Sequence, residues 1–97
     1  MSRTNDEKIQ MHMDICESMN DLYARKNNDY GNSFAILRKE YPDAILYRLF
    51  DKYQRLKTLK SGTTQKVTDE SIKDTLRDMA NYCILELIEM EIDEDDN

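Results

Sequence analysis

Three groups of polar residues have types and spacings able to do chemistry. The first is Lys26, Asp29, Tyr30 and Gly31. Glycine lets backbone approach a ligand closely, lysine meets a phosphate as a compact charge, and aspartate meets a metal or a sugar hydroxyl. The second is Arg48, Asp51, Lys52 and Arg55, three, four and seven residues apart and so on one side of a helix. Arginine's planar donor fork suits two-pronged contact with phosphate. The third is Glu70, Asp74, Asp78 and Asn81, again one helical turn apart. Carboxylates so placed can jointly ligate Mg²⁺, which takes oxygen ligands, bridges substrate phosphates and activates water.

Each group also has a plainer reading. Asn27 to Gly31 is turn chemistry, in which side chains bond their own main chain. The basic-acidic face can pair internally, each exposed pair contributing only about 0.5 kcal/mol. The acidic row can be a solvated stripe, or a salt-bridge seam with Arg48 and Arg55.

Helices must position these groups. Two glycines, one proline and an abundance of Glu, Lys, Leu, Met and Asp give a helical composition. A first helix is expected from Thr4, with Glu7 three residues on as a capping box. Its apolar stripe is Ile9, Met13, Cys16, Met19 and Tyr23, with His12 at the edge as a structural residue. The helix is expected to stop across Lys26 to Asn32, and a short helix capped by Asn32 or Ser33 then carries Phe34, Ile36 and Leu37. Pro42 ends it, since proline disfavours helical geometry at Tyr41.

A third helix is expected from Asp43 to about Lys60, with Ile45, Leu46, Leu49, Tyr53, Leu56 and Leu59 on its apolar side and Ser61-Gly62 as its stop. Thr63 to Lys66 reads as a loop and Thr68 as the cap of the last helix. There Ile72, Leu76, Met79, Cys83, Leu87 and Met90 share a face, widened by Ala80, Ile84 and Ile88. Acids after Ile92 oppose the helix dipole, so residues 93–97 are expected as an acidic disordered tail beyond a single domain of residues 1–92. Three long helices with short connections, plus the short one, predict an all-α antiparallel bundle. The broad apolar face of the last helix predicts a homo-oligomer.

A formal net charge of -6 argues against nonspecific nucleic-acid binding. The start is charged and no long apolar run exists, so no membrane association is expected and the cytoplasm is the expected location. Cys16 and Cys83 stand among apolar residues with no C-x-x-C unit, and are expected as small buried hydrophobes.

Three blocks carry a resemblance. They are Tyr23-x-x-Lys26-Asn27-x-Asp29-Tyr30-Gly31-x-Ser33-Phe34, Arg48-Leu49-x-Asp51-Lys52-x-x-Arg55-Leu56 and Val67-x-Asp69-Glu70-Ser71-Ile72-x-Asp74-Thr75-Leu76-x-Asp78-Met79-Ala80-Asn81-Tyr82. In this order they resemble the nucleotide modification associated domain 1 family, over roughly Tyr23 to Ile88. The resemblance implies a small all-helical protein of the kind common in bacteriophages and prophages, acting in the host cytoplasm and linked by the family's name to modified nucleotides. More distantly, Glu70 to Leu76 with Asn81 is similar to the metal-binding helix of MazG-like nucleoside triphosphate pyrophosphohydrolases. Asp74 fits that family's aspartate, and Ser71 stands at its glutamate with Glu70 adjacent. Asp51 matches one acid of the preceding helix, and Arg55 stands where a second acid belongs. An arginine there favours anions over cations.

The functional expectation is a nucleotide-binding protein. Lys26, Asp29, Tyr30, Arg48, Lys52, Arg55 and Asn81 contact the ligand, and Asp51, Glu70, Asp74 and Asp78 hold Mg²⁺. Three activities stay open: pyrophosphohydrolysis of a standard or modified nucleoside triphosphate, non-catalytic sequestration of a linear or cyclic nucleotide signal used in host defence, and a helical protein-interaction module.

Overall fold

The computed structural model describes residues 2–61 and 65–96, the side chains of residues 27–31 and 65–68 apart. Among the described residues the chain is all-α: α1 (Asn5–Glu40), α2 (Ala44–Lys60) and α3 (Gln65–Asp96), with no strand. Three long helices are thus present as expected. The short helix forms the last turns of α1, with no break between.

α1 begins where the sequence places it. Thr4 is extended at the N-cap, its hydroxyl accepts from the Glu7 amide at 3.2 Å, and the Glu7 carboxylate accepts from the Thr4 amide at 3.3 Å. Arg3 adds an ion pair to Glu7 at 3.0 Å. The expected stop across Lys26 to Asn32 does not occur, for α1 continues to Glu40. Turn-favouring residues within a helix cost roughly 0.5–1 kcal/mol each, which packing of the flanking turns can exceed. The helix stops at Pro42 instead. Tyr41 is extended (φ −129°, ψ 87°) and its amide donates to the Leu37 carbonyl at 2.8 Å.

α2 has the expected bounds, with Asp43 at the N-cap and Ser61 at the C-cap. α3 starts earlier than expected: Gln65 and Lys66 already belong to it, so Thr68 lies inside the helix and is not its cap. Gly62 and the expected loop residues Thr63 and Thr64 lie outside the described residues. At the other end α3 continues to Asp96, correcting the expectation of a disordered tail from 93. Asp93 explains part of that extension, since Arg38 of α1 holds it at 2.8 Å.

α2 and α3 form a closely packed antiparallel hairpin, and the second half of α1 lies across it. The core is small. Phe34, Ala44 and Leu85 are buried, with Tyr23, Leu37, Ile45 and Tyr82 packed around them. The Phe34 and Tyr82 rings meet at 5.8 Å in a tilted arrangement. Thr75 is also buried, and its hydroxyl donates to the Ser71 carbonyl at 2.8 Å, so its burial leaves no unsatisfied donor.

Two expected apolar faces are turned outward. On α1 the stripe Ile9, Met13 and Cys16 is exposed, and only Met19 and Tyr23 are partly covered. α1 outreaches α2, its 36 residues spanning about 54 Å against about 25 Å for the 17 of α2, and its residues before Met19 are covered by neither α2 nor α3. The first turns of α1 therefore project as an arm. On α3, Leu76, Cys83, Leu87 and Met90 are exposed, and Thr75, Tyr82 and Leu85 face the core instead. Neither cysteine is buried, which corrects the expectation for both. His12 is exposed too, with its Nδ1 3.8 Å from Cys16 Sγ. No described helix is long and apolar enough to cross a membrane.

Candidate functional site

Where the arm leaves the hairpin, the three helices diverge and enclose an open cleft of about 530 Å³. Its α1 wall is Ser18, Met19, Leu22, Tyr23, Arg25 and Lys26. These positions recur at three- and four-residue steps, so one continuous helix presents them as a single surface. Lys52 contributes from α2, and Arg77, Asp78, Asn81 and Tyr82 from α3. Tyr82 connects the cleft to the core through its contact with Phe34, and Tyr23 does so from the α1 side.

The lining is basic in an acidic protein. Among the described residues Arg25, Lys26, Lys52 and Arg77 line it with one carboxylate, Asp78, while the whole chain carries -6. Concave surfaces lined by one sign of charge focus potential and concentrate the opposite ion. Lys52 is partly covered and meets Asp78 at 3.2 Å across the α2–α3 seam. Arg77 leans on Asp74 at 3.8 Å, a loose and exposed pair that costs little to exchange for another anion. Arg25 donates Nε to the Asp21 carbonyl at 3.4 Å, which leaves its terminal nitrogens for other contacts. Asn81 is half-buried, and its carboxamide has no hydrogen-bond partner among the described residues. A carboxamide offers two donors and an acceptor, a set that matches a base edge.

The residues expected as a site divide. Lys26, Lys52, Asp78 and Asn81 come together in this cleft. Arg48 lines a separate depression of about 60 Å³ with Ser33, Phe34 and Tyr82, so Tyr82 forms a wall of both. Asp51 and Arg55 are exposed on α2 and Glu70 and Asp74 on α3, outside the cleft lining. The side chains of Asp29 and Tyr30 lie outside the described residues. Asp51, Glu70, Asp74 and Asp78 do not converge: among the described residues no three His, Cys, Asp or Glu side chains are placed to hold one ion. A Mg²⁺ site of several carboxylates does not fit that placement, and one acid already serves Lys52.

Arg25, Arg77 and Ser18 were not expected in a site. A signal for Arg77 exists, since it is four residues before Asn81 and thus one turn away on the same side of α3. Arg25 is adjacent to Lys26 but reaches the cleft only because α1 continues without a bend, which no local motif announces.

A second polar cluster is structural. Arg38 donates Nε to Glu86 at 2.9 Å and Nη1 to Asp93 at 2.8 Å. These bonds, the one to Glu86 first, push the guanidinium pKa up, so the clamp stays charged. It ties the C-terminal half of α1 to α3.

Among known proteins, no curated sequence and no solved structure matches the chain, so the likeness to MazG-type enzymes rests on its short motif alone. The family model for nucleotide modification associated domain 1 matches residues 26–90, which include α2, most of α3 and every cleft residue except those on α1 before Lys26. Two thirds of the sequence is covered by that match, and the chain belongs to the nucleotide modification associated domain 1 family.

Proposed function

We propose that this protein binds a nucleotide in the cleft between α1, α2 and α3, and holds it chiefly by its phosphates. The observation that carries the reading is the charge reversal: four cations and two tyrosines line a concavity of about 530 Å³ in a chain of net charge -6. That volume lies within the usual range for small-molecule sites. Lys52 from α2 and Arg77 from α3 serve as phosphate donors, with Arg25 and Lys26 contributing from α1. Tyr23 and Tyr82 offer ring faces to a base, a contact of about 1–3 kcal/mol, and Asn81 reads its edge.

The dispersal of the carboxylates favours retention over turnover. Pyrophosphohydrolysis needs acids converging on metal-bound phosphate, and among the described residues the cleft lining offers only Asp78. A protein that holds a linear or cyclic nucleotide without consuming it fits sequestration of a signal.

Isothermal titration with ATP, a cyclic dinucleotide and unphosphorylated adenosine tests the reading. The phosphorylated ligands are expected to bind and adenosine is not, with at least tenfold weaker binding to Lys52→Ala. Equal affinity for adenosine, or an unchanged Lys52→Ala, refutes the assignment. In parallel, pyrophosphate release with Mg²⁺ or Mn²⁺ is expected to stay at background. Turnover lost in Asp78→Asn would overturn the binding-only reading.

A further inference from the structure

The protomer exposes more surface than a chain of its size should. A compact 11.5 kDa monomer has an accessible surface of roughly 5,800 Å², and this one has 8097 Å². Its radius of gyration is 15.8 Å, where about 12.5 Å is typical for 97 residues. The excess, about 2,300 Å², is shared between the arm of α1 and the outward face of α3 and is larger than the ~800 Å² per partner of a standard interface.

One outward face is ordered well enough to say what covers it. Leu76, Ala80, Cys83, Leu87 and Met90 follow each other at four, three, four and three residues along α3, the alternation of a coiled-coil seam. All five are exposed, and they lie on the opposite side of α3 from Thr75, Tyr82 and Leu85. Charge is distributed unequally along the same helix. Lys73 and Arg77 stand near the start of the seam among Asp69, Glu70, Asp74 and Asp78, whereas the end of the seam carries only acids, Glu91 and Glu94 beside it, with no base after Arg77. Two copies of α3 packed parallel would set acid against acid. Packed antiparallel, each copy's Lys73 and Arg77 lie toward the other's acids, and the two-fold arrangement closes on itself.

We infer that the protein is a two-fold dimer in which the outward seam of α3 packs antiparallel on the same seam of a second copy. The five apolar seam residues are not in the cleft lining, so the inference does not depend on what the cleft binds, although Arg77 stands at the edge of both surfaces.

Light scattering of the full chain at 100 µM, with Cys83 reactivity measured on a Cys16→Ser background, tests it. Wild type is expected at about twice the 11.5 kDa chain mass, with Cys83 reacting with a thiol reagent at least tenfold more slowly than in urea. Leu87→Glu is expected to run at monomer mass with Cys83 unprotected. If Leu87→Glu fails to fold, the wild-type mass and Cys83 protection still decide. A wild-type monomer, a dimer with fully reactive Cys83, or a dimer unaffected by a folded Leu87→Glu would each overturn the inference.

Discussion

Arg38→Ala should destabilise the fold by about 2 kcal/mol, and the figure can be worked from the clamp itself. The substitution removes two charge-assisted hydrogen bonds, at 2.9 Å to Glu86 and 2.8 Å to Asp93. The first matters more. Arg38 and Glu86 are each less than a fifth exposed, and a hydrogen bond to a charged group in that setting is worth about 1.5–3 kcal/mol. Asp93 is 59 % exposed, so its share falls in the surface range of about 0–1 kcal/mol. At the usual slope for a domain of this size, a loss of 2 kcal/mol lowers Tm by roughly 8–16 °C. Arg38→Lys, which reaches one carboxylate at a time, should recover about half.

The assay is thermal and urea unfolding followed by circular dichroism, at one fixed protein concentration because any association shifts Tm. Glu86→Ala and the double variant complete a cycle, and the double loss should fall short of the sum by about 1 kcal/mol or more. The effect should persist in 0.5 M salt, since a largely covered pair is screened less than an exposed one. A loss below 0.5 kcal/mol, or strict additivity, would refute the claim that this clamp sets α1 on α3.

Three further outcomes are expected. Phe34→Ala removes one of the few buried apolar side chains and should cost about 3–5 kcal/mol in urea unfolding; a loss under 1 kcal/mol would mean the core lies elsewhere. Thr4→Ala should cost about 1 kcal/mol and fray only the first turns of α1, seen as faster amide exchange at Asp6 to Lys8. The Arg3 guanidinium, followed by the Thr4 amide and hydroxyl, holds the Glu7 carboxyl below its ordinary pKa. A lowered native value means the contribution is present above the unfolded-state pKa and is lost as pH falls through the native one. The helicity difference between wild type and Glu7→Gln should therefore vanish on acidification; a difference that grows would contradict the cap.

Much of the fold was legible because local chemistry decided it. The Thr4–Glu7 box, the stop before Pro42 and the limits of α2 each depend on a few adjacent residues. Helix faces were harder. α3 has apolar residues over most of its circumference, so periodicity alone could not choose between the Leu76–Leu87 side and the Tyr82–Leu85 side. The choice is made by where α1 and α2 dock, a long-range matter.

The site shows the same division. Lys52, Asp78 and Asn81 could be singled out because they share helical rows with other polar residues, whereas Arg25 required knowing that α1 runs through Asn27 to Gly31. Carboxylates in one row suggested a shared metal, yet a row along a helix spreads them over successive turns. Asp74 and Asp78 consequently meet different cations.

Nucleotide binding in the three-helix cleft is tested most directly by mapping it at residue level. Amide and side-chain NMR shifts would be followed while ATP is added to the isotope-labelled protein. The largest changes are predicted at Tyr23, Lys52, Arg77, Asn81 and Tyr82, saturating together, with the outward seam of α3 unmoved. Saturable changes centred on any other surface, or no saturable change at millimolar ATP, would contradict the account.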